Sequence, residues 1–123
     1  MAAELSLAGL RITFSKTNSP SYSLNVSTLT PTVSGSQWMD NVQNIGTSEE
    51  AILLGDVAAG GYMFVQNLST TNFISLRQAT GAANFIKLLA GEWAIFRLSV
   101  DATAPFAIAD TGACDVRFVR FDL

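Results

Sequence analysis

The chain has 123 residues, of which 49% are hydrophobic and 14% charged, and it carries a net charge of -3 with no histidine. This length fits one domain with a real hydrophobic core. The missing histidine excludes Ser-His-Asp and Cys-His catalytic groups and Cys/His zinc sites. The basic residues are scattered and outnumbered by acids, so we expect no nucleic-acid partner. A small basic surface at Arg117 and Arg120 is the one possibility for such a contact that the sequence leaves.

The single Cys114 cannot form an internal disulfide, and we interpret it as a small buried hydrophobe. Glu4 and Arg11 interrupt the mildly apolar N-terminal stretch, which lacks a basic region, so we expect no signal peptide. No run approaches the roughly 20 apolar residues of a membrane helix. We therefore expect no membrane partner, and a chain made in a cytoplasm that stays soluble or joins an assembly.

Two alternating stretches open the chain. "LRITFSK" (10–16) and "YSLNVSTLT" (22–30) both place apolar residues at every second position, which predicts half-buried strands. "NSPS" (18–21) between them predicts a turn. Residues 1–18 could form an N-terminal arm or an edge strand.

The middle of the chain is less regular. Trp38 and Val42 have a helical spacing, but the glycines and asparagines around them disfavour a helix. Further on, "TSEEAILL" fits either one capped helical turn or a short strand, Ala51 to Leu54, and we expect the strand.

From Gly60 onward, strands of four to eight residues alternate with turn sequences, a spacing typical of an all-β sandwich or barrel. We predict an all-β fold, an antiparallel jelly-roll-like β-sandwich of about eight or nine short strands. Residues 1–123 would form a single domain.

The stretch "KLLAGEWAIFRL" (87–98) contains an Ala-Gly-Glu corner between two apolar runs. Gly91 can supply the positive φ of a turn, and Glu92 either accepts hydrogen bonds from turn N–H groups or pairs with Arg97. We interpret the corner as a structural hairpin, not as a binding site.

A catalytic or metal-binding pattern is not evident in the sequence. The carboxylates are spread along the chain, and the adjacent Glu49 and Glu50 would point to opposite faces of a strand. We therefore expect no enzyme, no catalytic residue, no cofactor and no metal.

Several of the predicted strands are apolar on both faces. A sandwich strand with one solvent-exposed face needs apolar residues only on its core face. Either loops cover the second face or another subunit does. The candidate interface residues are Trp38, Tyr62, Phe64, Trp93 and Phe121. Each of them could instead lie in the core, and Trp38 and Trp93 could also stack on sugar rings.

Residues 60–123 contain, in order, a Gly61-Tyr62 strand reaching Asn67, a second strand from Asn72 to Leu76, the Gly91-Glu92 corner followed by Phe96-Arg97-Leu98, and a short Ala107-to-Thr111 segment. In this pattern they resemble a set of small tailed-phage virion structural proteins. "NVQNIGTSEEAILLGDV" (41–57) resembles the middle section of the same family.

This resemblance implies a non-enzymatic virion component with a jelly-roll or related fold, assembled in the cytoplasm of the infected bacterium. We expect a capsid decoration or cement protein, a homo-oligomer with the major capsid protein or other virion proteins as partners. The alternatives are a ring component of the tail or head–tail connector, and a carbohydrate-binding module that recognises a host surface.

Overall fold

A computed structural model describes residues 5–31, 37–53, 61–99 and 105–121, and within these ranges every regular element is a β-strand. The chain forms two compact units, Met1–Ser34 and Gly35–Leu123. The strands are β1 (Arg11–Phe14), β2 (Tyr22–Asn25), β3 (Trp38–Ile45), β4 (Glu50–Ala51), β5 (Gly61–Asn67), β6 (Ile74–Arg77), β7 (Ile86–Leu88), β8 (Trp93–Leu98), β9 (Phe106–Ala109) and β10 (Cys114–Phe121). The expected all-β, antiparallel class is confirmed, with ten strands in the described ranges where about eight or nine were expected.

The first unit is a β-hairpin. β1 and β2 pair antiparallel, with Ile12 opposite Leu24 and Phe14 opposite Tyr22. A hydrogen bond from the Val26 N–H to the Leu10 carbonyl extends the ladder beyond the two strands. The two strands and their alternating faces are therefore confirmed, but the predicted half-burial is wrong, because every residue of β1 and β2 is exposed. The unit includes the segment 1–18 that was considered as an arm or an edge strand.

The second unit contains two four-stranded antiparallel sheets, in the orders β3-β10-β5-β8 and β4-β9-β6-β7. The irregular region around Trp38 is a full strand, β3, despite its helical spacing of apolar residues. The strand expected over Ala51–Leu54 is a two-residue strand, Glu50–Ala51, and Leu54 lies outside the described residues.

Buried apolar side chains from both sheets form one hydrophobic core. Met63 and Phe118 come from the first sheet and Ile74 from the second, and each is 0% exposed. Cys114 belongs to the same core, at 1% exposed, as its sequence context predicted. Burial of this apolar surface is the main favourable term in the stability of the second unit.

The hairpin predicted at the Ala-Gly-Glu corner is wrong. β7 pairs with β6 and β8 pairs with β5, so the corner carries the chain from one sheet to the other. The local prediction still holds, because Gly91 has a φ of 80° and the Leu89 N–H donates to Glu92 Oε1 at 2.7 Å. Arg97 instead lies over the Tyr62 ring, with its guanidinium carbon 5.5 Å from the ring centroid.

The side chain of Asn67 holds two of these sheet-to-sheet corners together. It is 0% exposed, and its Nδ2 donates to the carbonyls of Asn72 at 2.9 Å and Leu88 at 3.1 Å. Its Oδ1 accepts a hydrogen bond from the Ser69 N–H at 3.0 Å. The first corner (68–73) joins β5 to β6 and the second (89–92) joins β7 to β8, so one buried amide connects both.

The backbone of Asn67 reinforces the second corner. Its N–H donates to the Glu92 carbonyl at 2.9 Å, and its carbonyl accepts from the Gly91 N–H at 3.0 Å. A buried amide whose donors and acceptor are all used stabilises one arrangement of the chain, because any other arrangement leaves polar groups desolvated and unpaired.

A second polar link lies between the β3–β4 loop and the β6–β7 loop. Glu49 accepts hydrogen bonds from the Thr80 hydroxyl, from the Gly81 N–H at 2.9 Å and from Arg77 at 2.8 Å. The Thr80 contact has the largest effect, and together these donors lower the pKa of Glu49 from about 4.5 to about 2.

We expect the substitution Asn67→Ala to lower the free energy of unfolding by about 3 kcal/mol, because it leaves two carbonyls and one N–H without their partner in a buried corner. Urea denaturation followed by tryptophan fluorescence measures this change. Asn44→Ala is the matched control, since the Asn44 amide makes one exposed hydrogen bond, to Asp115 at 3.0 Å. Equal losses in the two variants would contradict the role given to Asn67.

We expect Glu49 to make the stability of the protein depend on pH in the acidic range. Its pKa is about 2 in the folded chain and lies below the ordinary value of 4.5, so the unfolded chain binds the proton more readily. Its contribution is present above about pH 4.5 and is lost as the pH falls towards 2. Thermal melting between these pH values should fall less steeply for Glu49→Gln than for the unchanged protein, and parallel curves would refute the assignment.

Candidate functional site

Alternating burial divides the strands of the first sheet into two faces. Along β5, Met63 and Val65 are buried in the core, whereas Tyr62 and Phe64 are only half-buried and point to the opposite side. The same alternation runs along β10 and β8. We call the side away from the core the outer face of the β3-β10-β5-β8 sheet.

The pairing register aligns the side chains of the outer face in three rows across the four strands. Eight of the twelve are apolar or aromatic. The rows, in the order β3, β10, β5 and β8, are Trp38, Phe121, Tyr62 and Arg97; then Asp40, Val119, Phe64 and Ile95; then Val42, Arg117, Gln66 and Trp93.

All five residues predicted from the sequence as interface candidates lie on this outer face: Trp38, Tyr62, Phe64, Trp93 and Phe121. Three apolar neighbours that complete the rows were not predicted from the sequence as interface residues: Val42, Val119 and Ile95. Ile95 follows the same alternation as Trp93 within β8, which was visible in the sequence. The place of Val42 depended on β3 being a strand.

The outer face combines exposed and half-buried apolar side chains. Trp38 is 68% exposed, Val42 51% and Trp93 49%. The Trp93 ring packs on Phe64, with ring centroids 5.9 Å apart and planes inclined by 33°. A ring pair at this separation contributes favourable contact beyond the apolar area that it buries.

Two of the three charged residues in these rows, Asp40 and Arg117, form an ion pair. Arg117 donates from Nε to Asp40 Oδ1 at 2.9 Å and makes a second bond to the other carboxylate oxygen, a bidentate ion pair between neighbouring strands. These hydrogen bonds lower the pKa of Asp40 and raise the pKa of Arg117. Arg120 faces the other way and is 0% exposed, so the small basic group considered for Arg117 and Arg120 is not formed.

This arrangement suits adhesion to an apolar partner. The paired Asp40 and Arg117 can remain charged beside a partner surface at lower cost than a lone ion, because each keeps its hydrogen bonds. Among the described residues, no group of three or more His, Cys, Asp or Glu could hold a metal ion. The chemistry available on the outer face is therefore apolar contact with a few polar contacts among it.

A separate surface depression of about 220 Å³ lies in the loop between β6 and β7, lined by Gln78, Ala82, Ala83, Asn84 and Phe85. Phe85 is 84% exposed there. The five lining side chains carry no titratable group, so this depression offers contact surface and not acid–base chemistry.

Comparisons with protein-family models, with curated proteins and with solved structures find no match for this chain. Within the part of the chain that the structure describes, no helix has the length and apolar character to cross a membrane.

Two adjacent residues of β8 provide a test of the two faces. Phe96 packs against the core and Ile95 lies on the outer face at 37% exposed. We expect Phe96→Ala to lower the free energy of unfolding by about 3 kcal/mol, because it opens a cavity. Ile95→Thr should change it by about 0.5 kcal/mol or less. Chemical denaturation measures both, and a larger loss for Ile95→Thr would mean that the faces are assigned the wrong way round.

Proposed function

We propose that this protein is a non-enzymatic structural component of a bacteriophage particle, specifically a capsid decoration or cement protein that contacts the shell through its outer face. The observation that carries the proposal is the set of eight apolar side chains on that face, with Trp38 at 68% and Val42 at 51% exposed. A solvated sheet face ordinarily carries polar residues at these positions. Contiguous exposed apolar surface is typical of a contact with another protein.

The strand pairing supports the further proposal that the second unit is a jelly-roll sandwich. Its first strand pairs with its last (β3 with β10), the second with the seventh (β4 with β9), the third with the sixth (β5 with β8) and the fourth with the fifth (β6 with β7). Alternate pairs then belong to alternate sheets. A long antiparallel ribbon wound into two sheets gives this order, and viral capsid domains and lectins use such folds.

The proposed mechanism is burial of the outer face against capsid subunits. Each Å² of apolar surface removed from water contributes about 25 cal/mol. A decoration protein that binds the assembled shell and not the free subunits stabilises the shell by mass action. In this proposal the major capsid protein is the partner, and the protein reaches it in the cytoplasm of the infected bacterium.

A carbohydrate-binding module is the second candidate. The observation that favours it is the exposure of Trp38 and Trp93, at 68% and 49%, on one sheet face, because exposed aromatic rings can stack on sugar rings. A third possibility keeps the virion role but places the protein in a ring at the tail or the head–tail connector.

The test is co-sedimentation of the purified protein with empty heads of the phage that encodes it. We expect binding at a stoichiometry that matches the major shell subunit. The double substitution Val42→Lys and Ile95→Lys should reduce binding at least tenfold, because it places charges in the buried contact. Thr47→Lys with Ser48→Lys is the control, since it adds the same two charges in an exposed loop outside the outer face.

The other outcomes separate the candidates. A stable ring that does not bind heads would move the protein to the tail or connector. A protein that binds no heads but binds glycans, and loses this binding in Trp38→Ala with an unchanged melting temperature, would establish the carbohydrate-binding module. Head binding that is unaffected by the two lysines would place the contact elsewhere on the molecule.

A further inference from the structure

The hairpin of the first unit has one entirely apolar face. Three opposed pairs make up this hairpin face: Leu10 with Val26, Ile12 with Leu24, and Phe14 with Tyr22. Their side chains are between 40% and 54% exposed. The opposite face is polar and carries Thr13 and Ser23.

A two-stranded ribbon with such a face needs a covering surface. An isolated two-stranded hairpin is marginally stable in water at best, and further strands are needed to enclose an apolar face. Every residue of β1 and β2 is exposed. Six large apolar side chains on one side are therefore unexplained by the packing of the first unit itself.

We propose that the hairpin face packs against the hairpin face of a second copy of this chain, so that β1 and β2 of the two copies form a small four-stranded core. This inference concerns a different surface from the outer face, and it does not depend on the proposed role in a phage particle. It assigns the self-association of the protein to residues 10–26.

The area of the hairpin face is sufficient for such a contact. From the exposed fractions of its six side chains, each face presents roughly 500 Å², so a pair of faces would bury about 1,000 Å², the lower limit for a specific interface. The contact is made by the same patch on both copies, which is how two-fold symmetric dimers close without leaving a free surface.

The charges of the hairpin lie away from this contact. Arg11 and Lys16 are the only charged residues between positions 5 and 31. Arg11 pairs with Asn25 on the polar face, and Lys16 lies in the turn, where its carbonyl accepts from the Ser19 N–H at 3.1 Å. Two copies can therefore bring their hairpin faces together without burying a charge or opposing like charges.

The first test is the solution mass by analytical ultracentrifugation. We expect the unchanged protein to have at least twice the chain mass of 13.1 kDa. Ile12→Ser with Leu24→Ser should reduce it to the single-chain mass, whereas Thr13→Ala with Ser23→Ala, the opposed pair on the polar face, should leave it unchanged. Both tryptophans belong to the second unit, so an unchanged fluorescence melting curve establishes that the second unit still folds in each variant.

The second test is disulfide cross-linking between copies. Leu24→Cys, in the central pair of the hairpin face, should give covalent dimers under mild oxidation. Ser23→Cys, on the polar face, should give at least tenfold fewer. Cys114 is 1% exposed and does not compete. Equal cross-linking at the two positions would overturn the proposal, as would a single-chain mass for the unchanged protein.

A mixing experiment distinguishes this contact from a hairpin that docks elsewhere on a neighbour. A tagged Ile12→Ser, Leu24→Ser variant should not capture the untagged unchanged protein, because it lacks one of the two faces that must meet. Capture of the unchanged protein by this variant would overturn the inference, because it would place the acceptor outside the hairpin.

Discussion

The buried amide of Asn67 is the constraint on which the second unit depends. It binds the Asn72 and Leu88 carbonyls and the Ser69 N–H at a point where the chain leaves one sheet and returns from the other. If this side chain pointed outward, three polar groups of the corners would lose their partner, so the inward direction is strongly favoured. Because side chains alternate along a strand, that direction also determines which residues of β5 face the core and which form the outer face.

The composition of the outer face follows from this alternation of side chains along β5. Met63 and Val65 share the side of Asn67, so Tyr62 and Phe64 must lie on the other side with Trp93 and Phe121 from the neighbouring strands. The same geometry that closes the core thus gathers aromatic side chains on the opposite surface. Asp40 and Arg117 are paired with each other there, which is compatible with close contact to an apolar partner.

The protein has two apolar surfaces that differ in how they are built. The outer face belongs to a sheet that already encloses a core on its other side, so it can stay exposed until a partner arrives. The hairpin face belongs to a two-stranded ribbon with no core of its own, so it gains stability from association itself. This difference is the physical basis for the two proposals, which give the outer face the contact with a phage particle and residues 10–26 the contact between copies.

The sequence by itself determined the all-β class, the alternation of β1 and β2, the positive φ of Gly91 and the burial of Cys114, because each depends on local spacing or residue type. It also identified the aromatic side chains of the outer face one at a time. Only the tertiary structure decided that β7 and β8 lie in different sheets, that β3 is a strand, and that Val42 and Val119 join the same face. These features depend on hydrogen bonds between strands that are far apart in the sequence and on the core that they share, and no local sequence pattern encodes such contacts.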